Sequence, residues 1–303
     1  MNAQRFSLGL IFITLALITE LKAQKKILDH TSYDTWQFIK KQSISNDGKW
    51  ITYALEKNSI SDPLVKLSDF EGGETLSYPR GTNPKFSFDG THLFFNIQPT
   101  IDAVNQLKRI KTKEENLPLD TLGIYNVNIE TLSKIPHLIS YKIPEKWSDW
   151  LVYQHKTPQD TSLKKAKKLS KEIGYELIIQ NLIDTVHYGY PFVKEYTLSE
   201  KGGKIAFTSS GDDAEFQSGV YVFDTQKQSI QSIYVSKGIF KSLKWDEAGQ
   251  HLSFVSDLDT TQSLNRYFNL HLWSIGDDTA ETILTARDAY LGQTYLVSEH
   301  TPL

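Results

Sequence analysis

The chain has 303 residues, and its 33 lysine and arginine side chains are balanced by 36 aspartate and glutamate side chains, for a net charge of −3. That balance gives no global positive field for nucleic acid or an anionic membrane, and a hydrophobic content of 39% argues against wholesale disorder. The absence of cysteine excludes disulfides, thiolate catalysis, cysteine-ligated zinc and lipid attachment at an N-terminal cysteine.

Residues 1–23 have the features of a secretory signal peptide. Arg5 supplies a positive charge, and an apolar run extends from Phe6 to Thr19. This run of about 14 residues is shorter than the roughly 20 residues that span a bilayer, so cleavage after Ala23 is the first interpretation and an uncleaved anchor the alternative. The sequence therefore predicts an exported protein, periplasmic or extracellular, with no stable membrane anchor after cleavage.

A short pattern recurs through the rest of the chain. It consists of serine or a near equivalent, an acidic turn with glycine, and an alternating apolar strand. The pattern is clear at 43–55 and 85–97, looser at 195–208 and 243–255, and degenerate at 146–154. Asp-Gly permits the positive φ angles of a tight turn, so each copy predicts a β-hairpin. A second strand–turn–strand segment follows each copy, which predicts units of four strands.

The spacing of these units, roughly 40–60 residues, is typical of β-propeller blades. We therefore expect an all-β propeller at 43–303 after a lead-in segment at 24–42, with an irregular β-sandwich as the alternative. The five predicted blades lie at about 43–80, 85–140, 143–191, 195–238 and 242–286, and residues 287–303 begin a sixth. Five blades and a partial sixth are expected to leave an open arc or to be poorly soluble in isolation, because an unclosed array exposes its ends.

One insertion has a helical pattern. Ile101, Val104, Leu107 and Ile110 recur at helical spacing, and Thr100 precedes them as a candidate N-cap. The sequence therefore predicts a short helix followed by a loop inside the second blade.

Two charged segments are candidates for ligand contact. The side chains of Asp212, Asp213 and Glu215 can bind a cation or the amino group of a peptide, but their spacing is not that of a calcium loop, so a solvated hairpin loop is the alternative. Asp257 and Asp259 have the same two interpretations. The lysine run at 164–171 is interpreted as a solvated loop, with a phosphate or membrane contact as its alternative.

Sequence motifs for catalysis are absent. The chain has no G-x-S-x-G, H-E-x-x-H, P-loop or G-x-G-x-x-G motif, and its eight histidines show no metal-ligand spacing. The sequence therefore predicts no catalytic, cofactor-binding or metal-ligating residue. The six tryptophans fall mostly within strand patterns, which favours packing between blades over carbohydrate stacking.

Several segments resemble a known family. Segments 28–36 and 43–50 resemble the mature N-terminus of secreted bacterial peptidases of the prolyl oligopeptidase family. Segments 107–111 and 117–123 look like an insertion in that branch, and 196–207 is also similar. The resemblance extends over essentially all of the chain after the signal peptide, although the Asp-Gly repeats alone are shared with TolB-type propellers.

The resemblance implies a β-propeller that precedes an α/β-hydrolase domain with a Ser-Asp-His triad, where the propeller restricts access to peptides. The hydrolase half is missing from these 303 residues, and no position matches a triad motif. The first expectation is therefore the non-catalytic propeller part of an exported serine peptidase, with a peptide substrate and a hydrolase domain as partners and no cofactor. The alternatives are a free-standing extracytoplasmic TolB-like propeller that binds a protein partner, and a propeller enzyme that uses Asp212 and Asp213.

Overall fold

Antiparallel strands that follow one another in chain order make up nearly all of the regular structure. The computed structural model describes residues 36–57, 62–156, 173–212, 216–259 and 266–285, and the single residues 32, 261 and 297. Within these residues every strand pairs with its neighbour in sequence, in three four-stranded sheets and one seven-stranded sheet. This is the meander of propeller blades, and the predicted all-β propeller fold is confirmed. No helix in the described part of the chain is long and apolar enough to cross a bilayer.

Blades 1 and 2 are separate four-stranded sheets joined at Arg80. Blade 1 consists of β1 (Gln37–Ile44), β2 (Trp50–Lys57), β3 (Leu64–Asp69) and β4 (Glu74–Pro79). Blade 2 consists of β5 (Gly81–Phe86), β6 (His92–Ile97), β7 (Thr121–Asn126) and β8 (Thr131–Ile135). The first strand of each blade thus lies before the Asp-Gly turn at which the sequence pattern begins.

The insertion in blade 2 contains the predicted helix, α1 (Ile101–Arg109), and then a 3₁₀ turn at Glu114–Asn116. Thr100 is its N-cap as predicted, because the Thr100 hydroxyl accepts a hydrogen bond from the Ala103 N–H at 3.4 Å. None of the helix residues is fully buried, so α1 lies outside the core of the propeller.

Blades 3 and 4 form one continuous sheet because they share a strand. The seven strands are β9 (Leu138–Lys142), β10 (Trp150–His155), β11 (Tyr175–Asn181), β12 (His187–Leu198), β13 (Lys204–Asp212), β14 (Gln217–Asp224) and β15 (Ser229–Val235). The beginning of β12 pairs with β11 up to Val193, and from Val193 onward β12 pairs with β13. Strand β12 is therefore the last strand of blade 3 and the first strand of blade 4.

A close backbone approach marks the point where β12 changes partner. Phe192, one residue before that point, has a positive φ of 60°. Gly174, at the start of the neighbouring segment, also has positive φ, and a Cβ atom added there would lie 2.5 Å from the Phe192 carbonyl carbon. Glycine fits at position 174 because it tolerates positive φ and has no Cβ atom to clash with the Phe192 backbone.

Blade 5 consists of β16 (Ile239–Trp245), β17 (His251–Asp257), β18 (Asn269–Ser274) and β19 (Glu281–Leu284). Its first turn repeats the geometry of the first two blades, because Gly48, Gly90 and Gly249 all have φ near 70°. In each turn the residue that follows the first strand donates its N–H to the carbonyl oxygen of the residue that begins the second strand, as Asp246 does to His251 at 3.0 Å. The repeat identified in the sequence is thus the first hairpin turn of the blade.

Consecutive blades pack face to face. We call the side of a blade that turns towards the next blade its front face, and the opposite side its back face. Blade 1 packs on blade 2 through Val65, Leu67 and Phe95, and blade 3 packs on blade 4 through Trp150 and Phe223, whose ring centroids lie 5.7 Å apart. Buried clusters of the same kind join blade 2 to blade 3 and blade 4 to blade 5. In the described residues, no buried cluster joins blade 5 to blade 1.

Candidate functional site

The first strands of neighbouring blades approach one another, β1 with β5 and β12 with β16, so they are the inner strands of the propeller. Three of them contain the same β-bulge, in which two residues lie opposite one residue of the next strand. Its first extra residue has positive φ without being glycine, and it precedes the turn glycine by seven positions. These residues are Lys41 before Gly48, Asn83 before Gly90, and Ser242 before Gly249.

The bulge of blade 5 binds a carboxylate from blade 4. Glu195 accepts hydrogen bonds from the backbone N–H groups of Ser242 at 2.9 Å and Leu243 at 3.0 Å, one on each carboxylate oxygen. Successive N–H groups beside a residue of positive φ form a concave site that favours negative charge. Glu195 therefore ties the inner strand of blade 4 to that of blade 5.

Glu195→Gln is expected to lower the free energy of unfolding by about 1–3 kcal/mol, because hydrogen bonds to an ionised group are worth about that much. The amide also turns one N–H group towards a backbone N–H, where no acceptor is present. Chemical denaturation monitored by tryptophan fluorescence measures the change. Glu145→Gln is the matched control, since the Glu145 side chain is mostly exposed, and equal losses in both variants would contradict the role of Glu195.

Lys142 on the inner strand β9 is held in place beside Glu195. Its ammonium group donates to the Tyr196 carbonyl oxygen at 2.7 Å and lies 5.1 Å from the centroid of the Tyr196 ring. Partial burial lowers the pKa of Lys142, Glu195 acts against that change, and the nearby charge of Lys244 adds to it. Lysines from blades 3 and 5 thus approach one another on the inner surface.

Beneath Lys142 a chain of hydrogen bonds connects blades 3 and 4. The Ser140 hydroxyl donates to Gln154 Oε1 at 3.2 Å, and the Tyr196 hydroxyl lies 2.9 Å from Ser140. Gln154 Nε2 donates to the Val193 carbonyl oxygen at 2.9 Å. Burial raises the pKa of Tyr196 to about 12, although the hydrogen bond with Ser140 acts against this shift. The Tyr196 hydroxyl is therefore protonated at neutral pH. It donates to the Ser140 oxygen, because the Ser140 proton is directed to Gln154.

Two cavities open on either side of Lys142. A cavity of about 610 Å³ lies towards the hairpin turns, and its charged lining residues are Lys85, Lys142, Glu145 and Glu200. A cavity of about 440 Å³ lies on the other side, between β9, Gly174 and β12. Their volumes are those of small-molecule or peptide side-chain sites, and their linings are mixed in charge. This inner surface of blades 2 to 4, with Lys142 at its centre, is the candidate functional site.

The acidic loop proposed from the sequence lies at another place in the fold. Asp212 is the last residue of β13, where it pairs with Gln217, at the end of blade 4 away from the first hairpin turns. Its side chain and residues Asp213 to Glu215 lie outside the described residues, as does the lysine run at 164–171. Substrate contact by Asp212, Asp213 and Glu215 therefore stays a prediction.

The carboxylates of Asp257 and Asp259 accept hydrogen bonds from residues of their own loop. The buried Asp257 carboxylate accepts from Arg266 Nη1 at 2.8 Å and from the Asp259 N–H at 2.9 Å. Asp259 accepts from the Thr261 N–H at 2.8 Å, and hydrogen bonds from Thr261 lower the pKa of Asp259. Both carboxylates thus accept hydrogen bonds from within the loop, and Asp257 is buried rather than solvated.

One serine–histidine pair has the contacts of a catalytic dyad without access for a substrate. Ser256 Oγ lies 2.7 Å from His271 Nε2, and Thr282 Oγ1 lies 3.1 Å from His271 Nδ1. Ser256 and His271 are completely buried between blades 4 and 5, where the His271 ring stacks on Phe254. Burial lowers the pKa of His271 to about 4, so the imidazole is neutral and packed as part of the core.

No group of three or more histidine, aspartate or glutamate side chains in the described part of the chain can hold a metal ion. The sequence also gave no indication of the Lys142 site. Its members are a lysine, a tyrosine, a serine and a glutamine from different strands, and they carry no motif that could have identified them. Only the period of the repeat, which brings the first strands of the blades together, pointed to this surface.

Comparison with known proteins adds low-identity structural neighbours. No protein-family model matches the chain, and no curated protein matches it. Among solved structures it is similar to the β-propeller domain of the Trilobed protease from Pyrococcus furiosus, with a TM-score of 0.42, 11% identity, and coverage of 82% of this chain and 72% of that one. It is also similar to an acylaminoacyl peptidase from Pyrococcus horikoshii, with a TM-score of 0.42, 9% identity, and coverage of 85% and 41%.

A third neighbour is TolB from Acinetobacter baumannii, with a TM-score of 0.34, 14% identity, and coverage of 80% of this chain and 53% of that one. The chain thus spans less than two thirds of the length of the acylaminoacyl peptidase and of TolB. These three neighbours, a protease propeller domain, a peptidase and TolB, are all similar to the chain at low identity.

Proposed function

We propose that this chain is the non-catalytic propeller part of an exported serine peptidase, and that it gates the access of peptides to a hydrolase domain outside these 303 residues. The observation that carries the proposal is the inner surface at Lys142. There the described inner strands place polar and charged side chains beside two open cavities, while the serine–histidine pair is sealed in the core. Such a surface can select peptides by size and charge.

The sequence supports the same proposal independently of the cavities. The resemblance at 28–36, 43–50 and the insertion is to peptidases in which a propeller precedes the hydrolase domain. The apolar run at 6–19 supports export to the compartment in which such peptidases act.

The test is to purify the native protein from the exported fraction of its host with an antibody against the propeller. The purified material is treated with a fluorophosphonate probe, which labels active serine hydrolases. A labelled hydrolase, on the same polypeptide or in a complex with it, supports the proposal. Recovery of the propeller with no labelled hydrolase contradicts it, and mass spectrometry then identifies whichever protein has been recovered instead.

The purified chain alone is expected to hydrolyse neither peptides nor esters and to remain unlabelled by the fluorophosphonate probe, because Ser256 is inaccessible. A cooperative melting transition in the same sample shows that the protein is folded. The control is Ser256→Ala. Turnover or labelling that this variant abolishes would assign catalysis to the Ser256–His271 pair, and turnover abolished by Asp213→Ala would assign it to the acidic loop.

A second candidate function is the binding of a protein partner by a free-standing TolB-like propeller. One observation favours it: the outer hairpin turns of four blades expose an aromatic or aliphatic side chain at the same end of the propeller. These residues are Phe70, Ile129, Ile183 and Ile275. Exposed apolar residues that recur at equivalent turns are a feature of protein-binding surfaces. Recovery of a non-enzymatic partner in the purification above, together with its loss in Ile129→Glu, supports this function.

A further inference from the structure

The inner strands of the described blades share one position that is polar in every blade and acidic in none of them. The residue at this position pairs with the third residue of the second strand of its own blade. Blades 2, 3 and 5 have a lysine there, blade 1 has a serine and blade 4 has a threonine. In chain order these residues are Ser43, Lys85, Lys142, Thr197 and Lys244. The repeat thus places three positive charges at matching positions, in a chain whose net charge is −3.

The three lysines of this position come together around Lys142. Lys85 and Lys142 line the same cavity of about 610 Å³. On the other side, Lys244 is close enough for its positive charge to lower the pKa of Lys142. Lys142 therefore shares its surroundings with lysines from two other blades.

The carboxylates of the 610 Å³ cavity are paired with other lysines. Glu145 Oε1 lies 3.6 Å from Lys85 Nζ. Glu200 forms an ion pair with Lys146, which follows β9 in the chain. Within the described ranges, no carboxylate lies at ion-pair distance from Lys142. The charge of Lys142 is therefore the one in this cavity lining that is available to a carboxylate from outside the described chain.

The ammonium group of Lys142 is fixed in position and still has a donor to offer. Of its three N–H donors, one binds the Tyr196 carbonyl oxygen at 2.7 Å, and the group lies 5.1 Å from the centroid of the Tyr196 ring. Glu195 attracts it from a greater distance, but both Glu195 oxygens already accept backbone N–H groups. Because Lys142 is exposed and lines both cavities, an acceptor that enters either cavity can reach the remaining donors.

The surroundings of Lys142 favour a negatively charged ligand with a short apolar stem. A carboxylate there would offset the burial and the Lys244 charge, which both disfavour the ammonium form of Lys142. Burial raises the pKa of Tyr141 to about 12, so this lining residue is neutral and adds no competing negative charge. Ile143 and Leu198 supply apolar lining for aliphatic carbon atoms. Glutamate side chains and peptide C-termini combine a carboxylate with such a stem.

We propose that Lys142 is a specificity-determining residue that binds a carboxylate group of the peptide entering the inner surface. This inference rests on the proposed function, because peptides are the ligands expected there. The carboxylate belongs to an acidic side chain or to the C-terminus of the peptide, and the experiment below separates these two sources. A charge-assisted hydrogen bond to the ammonium group supplies the selectivity, and Lys85 and Lys244 add attraction over a longer range.

Binding of a charge series of peptides to the purified full chain tests this proposal. Four short peptides carry the same rhodamine label at the N-terminus. One alternates glutamate with alanine and has a free C-terminus, a second has glutamine in place of glutamate, and the other two are the amidated forms of these. Fluorescence anisotropy at low salt measures each Kd. We expect the peptide without any carboxylate to bind at least about tenfold more weakly than the first peptide. The single change that removes the affinity identifies the source of the carboxylate.

Variants of Lys142 show whether this residue is responsible. Lys142→Met keeps the length of the side chain without its charge, so the acidic peptide should bind at least about tenfold more weakly. Lys142→Arg should restore most of the affinity, because it keeps the charge. The matched control is Lys134→Met, since Lys134 also lies over a tyrosine ring, 5.2 Å from the centroid of Tyr78, but on the outer strand β8. This control should bind the acidic peptide as the wild type does.

A purely structural role of Lys142 gives a different result. It would lower the melting temperature of Lys142→Met and leave the preference for the carboxylate unchanged in the folded protein. Lys142→Gln replaces the methionine variant if that variant does not melt cooperatively, because glutamine can still donate to the Tyr196 carbonyl oxygen.

Three results would overturn the proposal. The first is equal affinity of the wild type for all four peptides, or binding of none of them. The second is an unchanged preference for the acidic peptide in the folded, uncharged Lys142 variant. The third is displacement of the acidic peptide by a short DNA oligonucleotide at lower concentrations than by unlabelled peptide, which would assign the site to phosphate. None of these affects the gating proposal, which depends on recovery of a labelled hydrolase. Carboxylate binding through Lys142 without a recovered hydrolase would instead remove the gating proposal and keep this site.

Discussion

Phe207→Ala is expected to lower the free energy of unfolding by about 3–5 kcal/mol, as large-to-small changes of buried phenylalanines do. Phe207 lies completely buried between blades 3 and 4, with its ring 4.9 Å from that of Tyr190 and 5.7 Å from that of Tyr221. The rigid sheets on both sides limit relaxation, so most of the cavity should remain. Denaturant unfolding at neutral pH measures the change.

Phe70→Ala is the matched control for this prediction. It makes the same chemical change at a phenylalanine that is 70% exposed on the outer turn of blade 1, where it should cost less than about 0.5 kcal/mol. Losses of similar size in the two variants would mean that the surface between blades 3 and 4 is not a packed core.

Acid is expected to destabilise the protein well before its carboxylates are protonated, and His271 is the main cause. The pKa of His271 is about 4 in the folded state against an ordinary value of 6.5, because its burial excludes the charged form. Between these two values the unfolded chain takes up a proton that the folded protein does not. The contribution of His271 is therefore fully present above pH 6.5 and is lost as the pH falls towards 4, by about 3 kcal/mol in total.

Unfolding measured at intervals from pH 7.5 to 4 in wild type and in His271→Gln tests this prediction. The variant should be less stable at pH 7, and its stability should fall less between pH 6.5 and 4. Burial also lowers the pKa of His92. The variant His92→Gln is therefore measured in the same way, and it should reduce the fall in unfolding free energy with pH by a smaller amount than His271→Gln. If the unfolding free energy of His271→Gln fell with pH as steeply as that of the wild type, His271 would not be the cause of the acid sensitivity.

The propeller could be predicted from the sequence because its turns depend on local chemistry. Gly48, Gly90 and Gly249 are required by positive φ angles, and the alternating strands that follow them have a period of two. The cap of α1 at Thr100 is local in the same sense. These features depend on neighbouring residues only, so the sequence pattern was sufficient to locate them.

The candidate site could not be predicted, since it depends on contacts between distant segments. Glu195 meets the backbone of Ser242 and Leu243 across two blades, and Lys142 meets the carbonyl oxygen of Tyr196. Backbone N–H groups in a bulge have no sequence signature, and the bulge residues of positive φ are not glycines. The acidic loop attracted attention because its charges are adjacent in sequence, whereas the residues around Lys142 become adjacent only in the fold.

The shared strand β12 has an evolutionary consequence. Each blade is a repeat that contacts only its neighbours, so a whole blade can be gained or lost only at a boundary where the chain can be joined again without breaking a sheet. Arg80, between β4 and β5, and 236–238, between β15 and β16, are boundaries of this kind. A crossover at Val193 would divide one continuous strand, so blades 3 and 4 should be inherited, duplicated or deleted as a pair.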